Sequence, residues 1–138
     1  MKNTVLICLL STTLFSSCKD KKEECVTSVA SVAGTYKLTS LRAKPAGGTE
    51  SEIIASLPDC FRDNLYVLNA NTVYIFQDAG IPCTPNGTNT GNWSLSGTTF
   101  SLEGEVFVLQ SFDCSRLIAY KQDYPSAGDR WTYTFTRQ

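Results

Sequence analysis

Six cysteines and no histidine define the chemistry open to this 138-residue chain. A cysteine can carry a lipid, close a disulfide, bind zinc or attack as a thiolate, and spacing decides among these. Four-thiolate zinc wants Cys-x-x-Cys pairs, which are absent. The lack of histidine removes the commonest zinc ligand together with the commonest general base. A reactive thiol would need a basic neighbour and no disulfide partner. Carboxylates are present as Asp59, Asp63, Glu103 and Glu105, but no nucleophile with a matching base accompanies them, and Glu103-Gly104-Glu105 reads first as a polar turn. The expectation is no catalytic residue, no metal and no cofactor, hence a protein that is not an enzyme.

Two of the cysteines belong to the N-terminus. Met1-Lys2-Asn3-Thr4 carries one positive charge, Val5 to Phe15 is mostly apolar and too short to span a bilayer, and Ser16-Ser17-Cys18 follows. Residues 1–17 therefore read as a signal peptide, and Cys8 is discarded with it. Small residues before a cysteine resemble the bacterial lipoprotein signal, in which that cysteine is lipidated and becomes residue one. Phe15 stands where leucine is commoner, and an ordinary secretory signal with an incidental cysteine is the alternative. Lys19 to Glu24 is a charged run that cannot bury surface, so residues 18–32 are expected to form a lipidated start and flexible tether. Lys19-Asp20 resembles the export signal of surface lipoproteins of Bacteroidota, although Lys21-Lys22 departs from its acidic pattern. The predicted location is the bacterial outer membrane, anchored by lipid on its periplasmic face or at the cell surface.

The remaining elements must position Cys25, Cys60, Cys83 and Cys114. With 12 basic and 13 acidic residues the formal charge is −1, and removing Lys2 with the leader makes it −2. No basic face is concentrated anywhere, which argues against nucleic acid as a partner. Aromatic residues sit beside Thr and Val rather than at helical spacing, which favours an all-β chain. Short runs separated by Gly, Pro, Asn and Asp predict eight strands, at about 34–42, 64–69, 72–78, 91–95, 98–103, 105–112, 116–122 and 130–137. Within the last, Trp131, Tyr133 and Phe135 face one way and Arg130, Thr132, Thr134 and Thr136 the other. The first long connection suggests a short helix from Thr49 to Leu57, capped by Thr49, with Ile53, Ile54 and Leu57 on one face and Pro58 ending it. The second, Ala79 to Thr90, reads as loop throughout.

Strand order then selects the disulfides. Opposed residues of a hairpin share a common sum, and a turn near Ala70 or Asn71 gives about 141 to 143. Cys60 and Cys83 sum to 143. In an up-and-down barrel, alternate connections lie at the same end. Cys60 and Cys83 share one end, and Cys25 and Cys114 the other. Any other pairing would have to cross a strand length of about 20 Å, whereas bonded cysteines need Cα atoms within about 7 Å. The expected bonds are Cys25–Cys114 and Cys60–Cys83, contributing by loop closure about 4 to 5 and about 3 kcal/mol. This strand order requires a true turn at Gly104.

Gly34-Thr35-Tyr36-Lys37-Leu38, Cys60-x-x-Asp63-Asn64, Cys83, Gly91-Asn92-Trp93 and Tyr133-Thr134-Phe135-Thr136-Arg137 together resemble the lipocalin-like domain lipoproteins of Bacteroidota, over about Ala33 to the C-terminus. The resemblance implies an eight-stranded up-and-down antiparallel barrel over residues 33–138. True lipocalins carry Trp near the position of Tyr36. An aromatic there could still plug the closed end under Arg137, since a guanidinium stacks well on a ring; the alternative is a core Tyr and a solvated terminal Arg. Two functions remain open. One is a binding module for a small apolar or amphipathic ligand, with Ile53, Ile54 and Leu57 as lid and Trp93, Trp131, Tyr133 and Phe135 as lining. The other is a self-filled barrel acting as a scaffold or interaction protein of the envelope. Either would be a monomer tied to the membrane by its lipid.

Overall fold

A computed structural model describes residues 25–85 and 87–138. The signal segment, Cys8, Cys18 and the charged run at 19–24 lie outside the described residues. The elements are α1 (Val29–Val32), β1 (Gly34–Lys44), β2 (Ser51–Glu52), a 3-10 turn (Ile54–Ser56), α2 (Asp59–Arg62), β3 (Leu65–Leu68), β4 (Val73–Gln77), β5 (Asn89–Ser96), β6 (Thr99–Leu102), β7 (Glu105–Phe112), β8 (Arg116–Gln122) and β9 (Arg130–Arg137). All eight expected strands form. The ninth, β2, is a two-residue addition beside the end of β1, pairing Arg42 with Glu52 and Ala43 with Ser51.

From β3 to β9 each strand pairs antiparallel with the next, and β1 pairs with both β3 and β9, so the sheet closes into a barrel. The β3–β4 pairs run from Leu65↔Gln77 to Leu68↔Tyr74 and share the sum 142, within the range read from the turn. The β6–β7 turn is real: Leu102 pairs with Glu105, and Glu103 and Gly104 take φ of 51° and 82°, the left-handed pair of a two-residue hairpin, for which Gly is the permissive residue. Bulges near Thr39 in β1 and Gln110 in β7 keep the inward alternation while bending those strands.

Alternation puts Tyr36, Leu38, Leu41, Tyr74, Trp93, Phe100, Phe107, Leu109, Leu117 and Phe135 inside, all buried. Their rings touch in series: Phe100–Phe107 at 6.0 Å, Phe107–Tyr133 at 5.3 Å, Tyr133–Phe135 at 6.3 Å, Phe135–Tyr66 at 4.9 Å and Tyr66–Phe76 at 5.2 Å between centroids. Each such side chain contributes roughly 1.5–3 kcal/mol by leaving water. Between these rings lies a cavity of about 10 Å³ bordered by Tyr36, Tyr66, Phe100, Leu117 and Phe135. That is room for about one water.

Both expected disulfides are present, Cys25–Cys114 with Cα atoms 5.6 Å apart and Cys60–Cys83 at 5.2 Å. They pin opposite ends of the barrel. At the Cys25 end, the β7–β8 turn is built on Asp113, whose carboxylate accepts from the Ser115 hydroxyl and from the amides of Ser115 and Arg116. Those bonds hold the Asp113 carboxyl well below the usual range. The folded unit starts earlier than the sequence suggested. Residues 25–32, read as tether, hold a disulfide and α1, and Val32 is fully buried in the core.

That end is closed by Arg137. Its Nη2 donates to the Ser31 carbonyl and, at 2.7 Å, to the Tyr36 hydroxyl, which itself donates to the Val32 carbonyl at 2.7 Å. The guanidinium carbon lies 5.3 Å from the Tyr36 ring and 5.9 Å from Phe112. A Cβ on Gly34 would come within 3.3 Å of the guanidinium, which explains a glycine at the start of β1. Arg137→Met keeps the aliphatic stem but removes the bonds that tie α1 to the barrel floor. It should cost about 1 to 3 kcal/mol, because groups bonded to a charge are left without it. An unchanged urea midpoint would show that the plug contributes nothing.

Candidate functional site

The other end gathers the long connections, between β1 and β3, β4 and β5, and β8 and β9, around the Cys60–Cys83 bond. The stretch Cys60-x-x-Asp63-Asn64 acts there as a clamp. Asp63 Oδ2 accepts from the Ile81 amide at 2.6 Å, and Asn64, only 1% exposed, accepts from the Ala79 amide at 3.1 Å. Asp78 completes it, accepting from the amides of Cys83 at 3.1 Å and Gly87 at 3.2 Å. These side chains satisfy the backbone of a loop that has no ladder of its own, which is why the loop keeps a shape.

The connection expected to be a helix from Thr49 to Leu57 takes another form. Ser51 and Glu52 extend against β1, a 3-10 turn spans Ile54–Ser56, and the true short helix of this loop, α2, follows Pro58. The cause is Glu52. Its carboxylate accepts from the amides of Leu41 at 2.9 Å and Ile54 at 3.2 Å and from the Ser40 hydroxyl at 2.5 Å, while the Ile53 amide donates to the Leu41 carbonyl at 2.7 Å. Helix geometry would forfeit these long-range bonds. Ile53, Ile54 and Leu57 are half-buried and pack against the core. Burial raises the Glu52 pKa, but the bonds from Ser40, Leu41 and Ile54 and the charge of Arg42 outweigh it, and the net shift is downward.

The barrel mouth holds a stopper that sequence reading missed. Lys121 pairs across the sheet with inward-facing Trp131, and its Nζ forms an ion pair with Glu105. The ammonium lies 4.0 Å from the Tyr124 ring centroid and 5.8 Å from that of Phe107. Trp131 meets Tyr124 edge-on at 5.1 Å, and Tyr133 meets Phe107 at 5.3 Å. A signal existed, because Lys121 shares the inward parity of Leu117 and Ala119. Of the expected lining, Trp131 and Tyr133 do face the mouth half-buried. Trp93 and Phe135 are core, 1% and 4% exposed, and Trp93 Nε1 donates to the Asn69 carbonyl at 2.8 Å toward the opposite end. Burial pushes the Tyr66 hydroxyl up to about 12 and raises Tyr74 and Tyr133 too, so these phenols stay neutral. Among the described residues no three Cys, Asp or Glu groups converge as metal ligands. A larger concavity, of about 290 Å³, lies outside the barrel between the β1–β2 and β8–β9 loops.

In comparison with known proteins, the family described as lipocalin-like domain matches residues 32–117, more than half of the chain. No curated protein and no solved structure matches. The matched span runs from the end of α1 into the start of β8, so β9, with its Arg137, lies beyond it.

The depressed pKa of Glu52 fixes a sign. A carboxyl whose folded pKa lies below its unfolded value, about 4.3, contributes stability that is complete above that value and is lost as pH falls through the folded one. The stability gap between the native chain and Glu52→Gln should therefore be widest near neutrality and narrow as pH drops below about 4. Urea titrations at several pH values measure it, and a gap constant with pH would disprove the linkage.

Proposed function

The chain belongs to the lipocalin-like domain family, and from that premise we propose that it is a lipid-anchored protein of the bacterial outer membrane whose self-filled barrel carries a recognition surface at its loop end. The observation that carries this reading is the interior. A cavity of about 10 Å³ falls far short of the roughly 300–1,000 Å³ of small-molecule sites. Lys121, held by Glu105 and by rings, stands where a ligand would enter. The clamped loops around Cys60–Cys83 form a defined surface, as recognition without a large ordering cost requires. The protein acts as a monomer by binding rather than by catalysis, without cofactor or nucleic acid.

Orientation follows from the anchor. Cys18 would carry the lipid, and Cys25, seven residues on, is bonded to Cys114 at the end plugged by Arg137. Seven extended residues reach at most about 25 Å. The plugged end thus faces the membrane and the loop end faces away, on either side of the outer membrane. A second reading, an apolar or amphipathic ligand entering the mouth, draws on the half-buried Ile53, Ile54, Leu57, Trp131 and Tyr133. It requires Lys121 to swing out.

Two measurements test the proposal. Cys18→Ala should move the protein from the membrane pellet to the soluble fraction, since two or three acyl chains at about 0.8 kcal/mol per buried methylene supply the anchoring; retention in the pellet would refute the anchor. A panel of fatty acids, sterols, haem and aromatic dyes should leave tryptophan fluorescence and melting temperature unchanged. A saturable change that strengthens in Lys121→Ala would replace the self-filled reading with the second one.

A further inference from the structure

We infer that the groove between the β1–β2 and β8–β9 loops binds a monosaccharide-sized ligand bearing a carboxylate, a uronate-type saccharide, in an inference that rests on the loop end being the recognition surface. Lys44, Pro45, Gly47 and Gly48 form one wall, and Gln122, Gly128 and Arg130 the other, enclosing about 290 Å³. That is near the low end of the roughly 300–1,000 Å³ of small-molecule sites, enough for a single sugar ring.

Charge sets the ligand's sign. Lys44 and Arg130 are directly opposed across β1 and β9, an arrangement of like charges that destabilises a sheet unless an anion intervenes. Glu50 does so in part, accepting from Arg130 at 3.3 Å, but it is shared with Arg42 at 2.8 Å and the Thr132 hydroxyl at 3.3 Å. Lys44 is exposed and has no ion-pair partner among the described residues. Arg130 Nε is buried without an acceptor, and a buried donor left so is costly. The nearby carboxylates of Asp129 and Asp123 are turned to backbone, Asp129 accepting from the Ala46 amide at 2.9 Å and Asp123 from the Gly128 amide at 2.8 Å. A ligand carboxylate between Lys44 and Arg130 would meet both cations, and guanidinium geometry suits it.

The rest of the groove suits hydroxyl groups. Gln122, whose amide nitrogen also donates to the Asp129 carbonyl at 3.3 Å, and the backbone of Gly47, Gly48 and Gly128 are its other polar surfaces, the Gly48 and Gly128 amides being bonded to Pro45 and Asp123, and no aromatic ring lines it. Its shape is set before any ligand arrives. The Asp129–Ala46 bond ties the two loops together, the Asp129 carbonyl accepts from the Asp123 amide at 2.7 Å, and Arg130 lies 5.4 Å from the Tyr120 ring centroid. Little ordering cost is left for binding.

The test is a titration of the full chain in detergent micelles with glucuronate, inorganic phosphate and glucose, followed through the backbone amide resonances of Gly47, Gly48 and Gly128. Glucuronate should give saturable shifts at about millimolar concentration, as expected for about a dozen ligand atoms at ordinary efficiency. The apparent affinity should fall about tenfold in Lys44→Ala, which removes an exposed unpaired charge, and in Arg130→Lys, which keeps a cation beside Glu50. Added salt should weaken it. Absence of saturation, equal shifts with glucose, or indifference to Lys44→Ala would overturn the site, and phosphate binding as tightly as glucuronate would overturn the saccharide assignment. None of these outcomes bears on membrane release or on the dye panel, so the site can fail while the anchored-scaffold reading stands.

Discussion

The pairing of β1 with β9 is the constraint on which everything else here depends. An open sheet of eight strands would leave two rows of unpaired backbone groups and an interior face that no other layer could cover. Closing it removes the edges and fixes the diameter at which inward side chains just fill the lumen. The β1 strand achieves this by being long. Gly34 to Lys37 pair with β3 on one side, while Tyr36 to Lys44 pair with β9 on the other. The bulge near Thr39 bends it between these duties, and the carboxylate of Glu52 satisfies the amides of Leu41 and Ile54 beside that bend. Closure then dictates the choice of aromatics. Rings span the lumen in the run from Phe100 to Phe76.

A closed barrel has two ends, and here each is finished differently. The Cys25 end is finished by packing and charge, with α1 as floor and Arg137 bonded to Ser31 and Tyr36. The Cys60 end is finished by loops whose backbone amides are taken up by Asp63, Asn64 and Asp78. The asymmetry has a physical origin. Short hairpins turn the strands at the first end, so only a small plug is needed there. Long connections at the second leave many amides to satisfy, and acidic and amide side chains near Cys60 and Cys83 do so. The residues most suggestive of chemistry in the sequence, the carboxylates flanking the cysteines, are thereby structural.

Strand parity made much of this legible in advance. Alternation put Trp131, Tyr133 and Phe135 on one face, and direction alternating from strand to strand placed the four cysteines in two pairs. Both are local or topological rules that one sequence contains. The helix expected from Thr49 to Leu57 does not form because the partners of Glu52, Ser40 and Leu41, are distant in sequence and reached only through the fold. The start of the domain was missed for a similar reason: Val32 is buried by strands that come after it. Among the candidate ligand residues, the inward direction of Trp93 and Phe135 was readable, but whether inward meant lining or filling depended on the summed volume of every inward position, which needs all registers at once. Lys121 follows the same parity, but its place at the mouth depends on Glu105 and Tyr124, which only the closed barrel brings to it.

The filled lumen bears on the energetics of any ligand held inside. Making a cavity of 300 Å³, the low end for a ligand site, costs about 7 kcal/mol at about 24 cal/mol per Å³. That is comparable to the whole stability of a domain this size, about 5–15 kcal/mol. A ligand held inside with micromolar affinity would have to supply that amount in addition to the roughly 8 kcal/mol of net binding. At the loop end no such displacement is required. The groove beside Lys44 and Arg130 exists already, and its walls are tied by Asp129. A barrel of this width therefore loses less by keeping its rings together than by opening, and the loops at the Cys60–Cys83 end are held still by it.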